Sequence, residues 1–228
     1  MVITGTFLDE VTHDIPSQNW DKGDWQREFE LYNRIGIDTV ILIRCGYRDR
    51  LAFPSKCVPG SLPVYDDLVQ NFLDLAQENG INFYFGTYDS GDHWLSGQTG
   101  KELDLNKAII DEVGEKYAQH PAFKGWYMCH ETSGNHHNIT QIFSQLGQHC
   151  KGVKDVPVLI SPFPMGAKQA GPENSVPLAH TIQEWDNIFA ESAHAIDICA
   201  FQDGQIHYHA VSYTHLTLPT STVSCRSL

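Results

Sequence analysis

Six short apolar runs recur along the chain, spaced by about 40 residues, the length of one strand–loop–helix–loop unit. They are ITGTFLDE (3–10), TVILIRCGY (39–47), NFYFGTYDSG (82–91), FKGWYMCHE (123–131), VPVLISPF (156–163) and IDICAFQDG (196–204). Each is rich in Val, Ile, Phe and Tyr and is nearly continuous rather than alternating. A strand that is apolar at successive positions has no solvent side. Such runs therefore predict parallel strands buried on both faces. Between them lie helical patterns. Asp24–Ile35 places Trp25, Phe29 and Tyr32 on one face and stops at Gly36. Val64–Asn79 places Leu68, Phe72 and Leu75, then Gly80. Leu105–His120 places Ile109, Val113 and Tyr117, then Pro121. Ile139–Cys150 and Leu178–Ala195 follow the same rule. The Gly and Pro stops are ordinary helix endings.

Strict strand–helix alternation implies a parallel sheet with helices packed outside it. Two folds share that pattern: an open doubly wound sheet and a closed eight-stranded barrel. No GxGxxG follows the first strand, which weakens the nucleotide-binding open sheet. The strand ends favour the barrel. Asp9 and Glu10, Arg44 and Tyr47, Tyr88 and Asp89, His130 and Glu131, Ser161, and Gln202 and Asp203 each follow an apolar run. A barrel gathers all such ends around one mouth. The expected fold is α/β, a truncated (β/α)8 TIM barrel with six of its eight strands in residues 1–209. Six units use the chain up to Gly204, and the residues after Gly204 carry no strand–helix pattern.

The last stretch reads AVSYTHLTLPTSTVSCRSL (210–228). It resembles the translation of a transposase-based sequencing adapter. The string GTC TCT TAT ACA CAT CTG ACG CTG CCG ACG encodes Val-Ser-Tyr-Thr-His-Leu-Thr-Leu-Pro-Thr, and the bases CT before it complete an alanine codon at Ala210. Cys225, Arg226 and Ser227 fit the next constant stretch; Leu228 does not. Residues 210–228 are therefore expected to be foreign and disordered, attached to a natural fragment.

Composition narrows the partners. A formal net charge of −13 in 228 residues argues against nucleic acid and against an anionic membrane surface. No apolar run approaches the ~20 residues of a spanning helix, and no signal peptide is visible. The chain as given reads as cytoplasmic, with export of the parent left open, and its oligomeric state is not encoded in any pattern. Cys45, Cys129 and Cys199 sit inside apolar runs, and none of the six cysteines forms a CxxC. Core thiols in a reducing compartment are expected rather than a disulfide framework.

The stretch GWYMCHETSGN (125–135) carries the chemistry. An apolar strand runs directly into His130-Glu131 and then a small polar loop. A carboxylate at that end of a barrel strand is placed for general acid or base work. Asp9, Glu10, His13 and Asp14 follow strand one and either bind a polar substrate or cap the loop. Arg44 either reaches substrate or pairs with Glu10 or Glu131. Tyr88, Asp89 and Trp94 follow strand three; Trp94 either offers a flat ring face to a substrate or anchors its loop. Gln202 and Asp203 line the mouth from strand six. Metal is disfavoured. His130-Glu131 lacks the second His of HExxH and lies on a strand, His136-His137 is flanked by Asn, and His207-Tyr208-His209 abuts the tail. Neither metal nor cofactor is expected.

Taken together, TGTFLDEVTHDIPSQNW, GIDTVILIRCGYRD, GWYMCHE and CAFQDG resemble a bacterial family of uncharacterised proteins, domain-of-unknown-function family 4434, placed among the glycosidase TIM barrels. The resemblance covers residues 1–209. It implies a carbohydrate substrate and a retaining two-carboxylate mechanism in the parent, with Glu131 as acid/base at the end of strand four. The preceding residue in such barrels is commonly Asn; here it is His130, whose imidazole can still donate to a sugar hydroxyl. The nucleophile is implied at the end of strand seven. A fragment of six strands would lack it and be inactive. The competing readings are a non-catalytic carbohydrate-binding barrel and a metal-dependent barrel hydrolase.

Overall fold

The computed structural model describes residues 3–12, 17, 19–165 and 176–202. In chain order the elements are β1 (Gly5–Leu8), α1 (Lys22–Ile35), β2 (Thr39–Leu42), β3 (Gly46–Tyr47), β4 (Arg50–Leu51), α2 (Leu68–Glu78), β5 (Asn82–Gly86) and β6 (Tyr88–Asp89). They continue with α3 (Thr99–Tyr117), β7 (Phe123–Met128), α4 (Ile139–Val153), β8 (Val158–Ile160), α5 (Leu178–Ser192) and β9 (Ile198–Cys199). The main sheet has the order β1-β2-β5-β7-β8-β9, and every neighbouring pair is parallel. Among the described residues these are six strands of a β/α barrel with the expected five helices. Asp203, His207 and residues 210–228 lie outside the described residues, as do His13 and Asp14.

Both faces of this sheet are buried, which is why the runs read as continuous. One set of side chains (Leu8, Val40, Leu42, Phe83, Phe85, Trp126, Met128, Val158, Ile160) packs outward on helix residues such as Trp25, Phe29, Phe72, Phe143 and Trp185. The alternate set (Phe7, Ile41, Ile43, Tyr84, Tyr127, Cys129, Leu159, Ile198) packs on itself inside the curl. The curl shows in one contact. β1 and β7 are not neighbours in the sheet, yet the Phe7 and Tyr127 rings meet edge to face at 5.3 Å. A flat sheet could not bring them together.

Local signals explain the helix ends. Asp21 and Asp24 form a reciprocal capping box on α1, and Gly36 ends it in the left-handed region at φ 87°. Asp67 caps α2 by accepting from the Gln70 amide. The second and third apolar runs each divide: the main strands end at Leu42 and Gly86, and the following residues form a small separate sheet, β4-β3-β6. Gly46 allows it, because a Cβ there would stand 2.4 Å from Leu51 and 2.8 Å from Tyr88. α3 begins at Thr99 rather than at Leu105, since Glu102 and Asn106 are themselves fully buried. Cys45, Cys57, Cys129 and Cys150 are free thiols, and Cys45, Cys129 and Cys199 are core residues. No helix among the described residues is long and apolar enough to cross a membrane.

Candidate active site

The end of β7 sorts its side chains by direction. Tyr127 and Cys129 face the interior, while Trp126 and Met128 face the helices. His130 continues the outward set: its Nε2 meets Glu102 Oε1 of α3 at 2.8 Å, with both side chains fully buried. Glu131 is partly buried on the inward side, within electrostatic reach of Arg44, Asp89, Tyr127 and Gln202. Burial raises the Glu131 carboxyl above the usual carboxylate range. Arg44 and Gln202 oppose that rise, Asp89 adds to it, Tyr127 opposes it, and the net direction is up. The Tyr127 hydroxyl is buried and meets no hydrogen-bond partner of good geometry among the described residues. Its burial, with the Glu131 charge beside it, holds it well above the ordinary phenol value.

One cation organises the mouth. Arg44 Nη1 lies 2.9 Å from Asp89 Oδ2, and the two side chains are only 15% and 9% exposed. The partner is thus Asp89, not Glu10 or Glu131. The pairing of β3 with β6 explains this, because it draws the end of strand two onto the loop after β5. Asp89 Oδ1 also accepts from the Gly91 amide at 2.8 Å and from Trp94 Nε1 at 3.2 Å. Burial alone would weaken the Arg44 charge, but the carboxylates of Asp89, Asp9 and Glu131 around it oppose that and hold its proton more tightly. The Arg44 Nε is buried without a hydrogen-bond partner among the described residues.

The remaining candidates divide. Asp9 caps its own loop, accepting from the Val11 and Thr12 amides and from Thr12 Oγ1 at 2.8 Å. Glu10 accepts from Ser17 Oγ at 2.7 Å. Burial lifts its carboxyl to about 7, Ser17 opposes and Asp9 assists. Gln202 Nε2 donates to the Ser161 carbonyl at 2.7 Å and stays beside Glu131. Tyr88, Trp94 and His130 stand behind the mouth rather than in it. Tyr88 is buried in the outer core with its hydroxyl on the Arg48 carbonyl. Trp94 is 6% exposed, packed edge to face on His130, so its ring is an anchor and not an open platform. His130 is 2% exposed and directed at α3, away from any sugar in the mouth.

Sequence reading missed Tyr127 and Glu102. Tyr127 sits within an apolar strand and gives no sign that its phenol reaches a carboxylate. Glu102 did leave a signal. Thr99, Glu102, Asn106, Ile109 and Val113 follow helical spacing, and a charge on the apolar side of a helix implies a buried partner. Together, Glu131, Arg44, Asp89, Tyr127 and Gln202 form a partly desolvated acid beside a fixed cation. Such a group favours the protonated carboxyl more than a free one does and can deliver that proton to an oxygen entering the mouth.

The chain resembles several solved structures. A Bacteroides thetaiotaomicron VPI-5482 protein, whose assignment as an alpha-L-fucosidase is itself inferred, matches at 42% identity and TM-score 0.83. The match covers 89% of this chain and 64% of that one, so the chain spans less than two thirds of that relative. A glycoside hydrolase family 5 protein from Bacteroides vulgatus ATCC 8482 matches at 11% identity and TM-score 0.59, covering 91% of this chain and 46% of the other. Alpha-L-fucosidase isoenzyme 2 from Paenibacillus thiaminolyticus matches at 14% identity and TM-score 0.50, covering 74% and 34%. At the two lower identities the likeness is one of fold, and that fold is glycoside-hydrolase-like. Among curated proteins, none matches the chain. A family model matches residues 3–219, and by that match the chain belongs to the family described as Domain of unknown function (DUF4434).

Proposed function

We propose that the parent protein is a glycoside hydrolase in which Glu131 is the acid/base. The observation that carries this is the place and state of Glu131: it ends the fourth strand of the parallel sheet, faces inward, and has its carboxyl raised by burial. A carboxyl raised by burial keeps its proton more readily than a free one and can protonate the leaving oxygen. Once ionised, beside Arg44, it can take a proton from water. Tyr127 and Gln202 adjoin it. The retaining chemistry needs a second carboxylate about 5–5.5 Å away as nucleophile. In a barrel of this type that group belongs to strand seven, beyond the six strands described. The substrate class is a neutral glycoside, and the name given to the Bacteroides relative makes α-L-fucosides the first to try.

The test uses the full-length protein and the variant Glu131→Gln. Turnover of a glycoside with a poor leaving group should fall by about 10²–10⁴-fold. An activated aryl glycoside, which needs little proton donation, should lose less. Unchanged turnover on both substrates removes Glu131 from the mechanism and favours a barrel that binds carbohydrate without cleaving it.

A further inference from the structure

Behind the mouth lies a polar cluster that the acid/base chemistry does not use. Glu102 and His130 are fully buried, and both belong to the packed layer between α3 and the sheet. Glu102 is tied by more than His130. Asn106 Nδ2 donates to Glu102 Oε1 at 3.0 Å, while Asn106 Oδ1 accepts from the Tyr88 amide at 3.0 Å. Burial would raise the Glu102 carboxyl, but the His130 bond and charge, with Ser90, outweigh it and hold the group below its ordinary value. His130 Nδ1 has no partner among the described residues, so Glu102 is the ring's one polar attachment there.

The cluster is continuous with the mouth. The Trp94 ring meets the His130 ring edge to face at 5.3 Å. Trp94 Nε1 donates to Asp89 Oδ1, and Asp89 Oδ2 holds Arg44. The backbone around Glu131 is fixed from both neighbouring strands. The Cys129 amide donates to Thr87 Oγ1 at 3.1 Å, and the Thr132 carbonyl accepts from the Phe163 amide at 3.0 Å. Glu131 thus lies between anchored neighbours, with His130 as its immediate one.

Resting on the reading of Glu131 as acid/base, we propose that the buried Glu102–His130 pair is its positioning device. The pair pins the end of β7 to α3 so that Glu131 must project inward. Through Trp94 and Asp89 it also fixes where the Arg44 charge stands. Neither residue touches substrate. Their joint effect is to hold acid and cation in one geometry before the glycoside enters.

A buried ion pair can be replaced by well-packed apolar groups without loss of stability, whereas removing one partner is destabilising. That difference separates a positioning role from a structural one. In the full-length protein, Glu102→Gln, which keeps the side-chain volume, and the paired replacement Glu102→Leu with His130→Phe are compared with wild type for kcat, KM and melting temperature. The expected result is a kcat lowered about 10- to 100-fold in both, with KM within about twofold. The melting temperature should fall in the single variant and recover in the pair, while kcat does not recover. A pair that regains both stability and kcat shows a purely structural role and overturns the proposal, as does a Glu102→Gln protein with wild-type kcat. Glu131→Gln runs alongside. If it loses turnover and the pair does not, only the positioning proposal fails. If Glu131→Gln turns over normally, the acid/base reading fails and the positioning proposal with it.

Discussion

Adjacent residues on this chain meet opposite environments. His130 and Glu131 are consecutive, yet one closes a buried pair with α3 and the other opens toward the mouth. Their types were legible in sequence; their directions depend on which face of the sheet each occupies. Glu10 gives a direct test at this scale. Its ordinary value is 4.5 and its folded value about 7, because burial disfavours the anion. The folded state therefore binds the Glu10 proton more tightly than the unfolded state does. Its contribution to stability is complete below pH 4.5 and is lost as pH rises through about 7. Wild type should lose melting temperature across that window relative to Glu10→Gln, with the gap between them widening toward neutral pH. A gap that stays constant from pH 4.5 to about 8 would remove Glu10 from the pH dependence.

Elements were the most legible level. Continuous apolar runs gave the six parallel strands, and i, i+3, i+4 spacing gave the five helices. Two features escaped. The β4-β3-β6 sheet was hidden because Gly46–Tyr47 and Tyr88–Asp89 continue apolar runs and look like the same strands prolonged. The first turns of α3 were hidden because Glu102 and Asn106 read as surface residues until a buried partner is known. Close approach of elements also fixes small residues. A Cβ on Gly86 of β5 would stand 2.1 Å from the Leu42 carbonyl oxygen of β2, and backbone cannot step aside there. Gly86→Ala should cost about 1–3 kcal/mol, as other overpacked core sites do. Chemical denaturation should show a lowered midpoint at an unchanged slope. An unaltered midpoint would mean that the two strands separate freely.

At the scale of the molecule, the sheet curls far enough for Phe7 and Tyr127 to touch, but among the described residues β1 and β9 each have a neighbour on one side only. Unpaired edges template association with other strands. With both edges unpaired, the 228-residue chain prepared alone should self-associate. Light scattering across a concentration series reads this, and a monodisperse monomer of the 228-residue chain with a sharp melt would contradict it. The mouth is likewise a property of the whole, since Asp9, Arg44, Asp89, Glu131 and Gln202 come from five different strand ends.

The sequence alone determined the layered β/α order, the buried character of both sheet faces and the gathering of polar residues at one end. Those follow from periodicity, and periodicity is local. Which strand-end residue faces inward, which cation pairs with which carboxylate, and which apparent surface charge is buried are long-range facts. Arg44 finds Asp89 across 45 positions, and His130 finds Glu102 across 28. Only the curling of the sheet and the seating of α3 against it bring such groups within hydrogen-bonding distance, because only there is water excluded and a partner required.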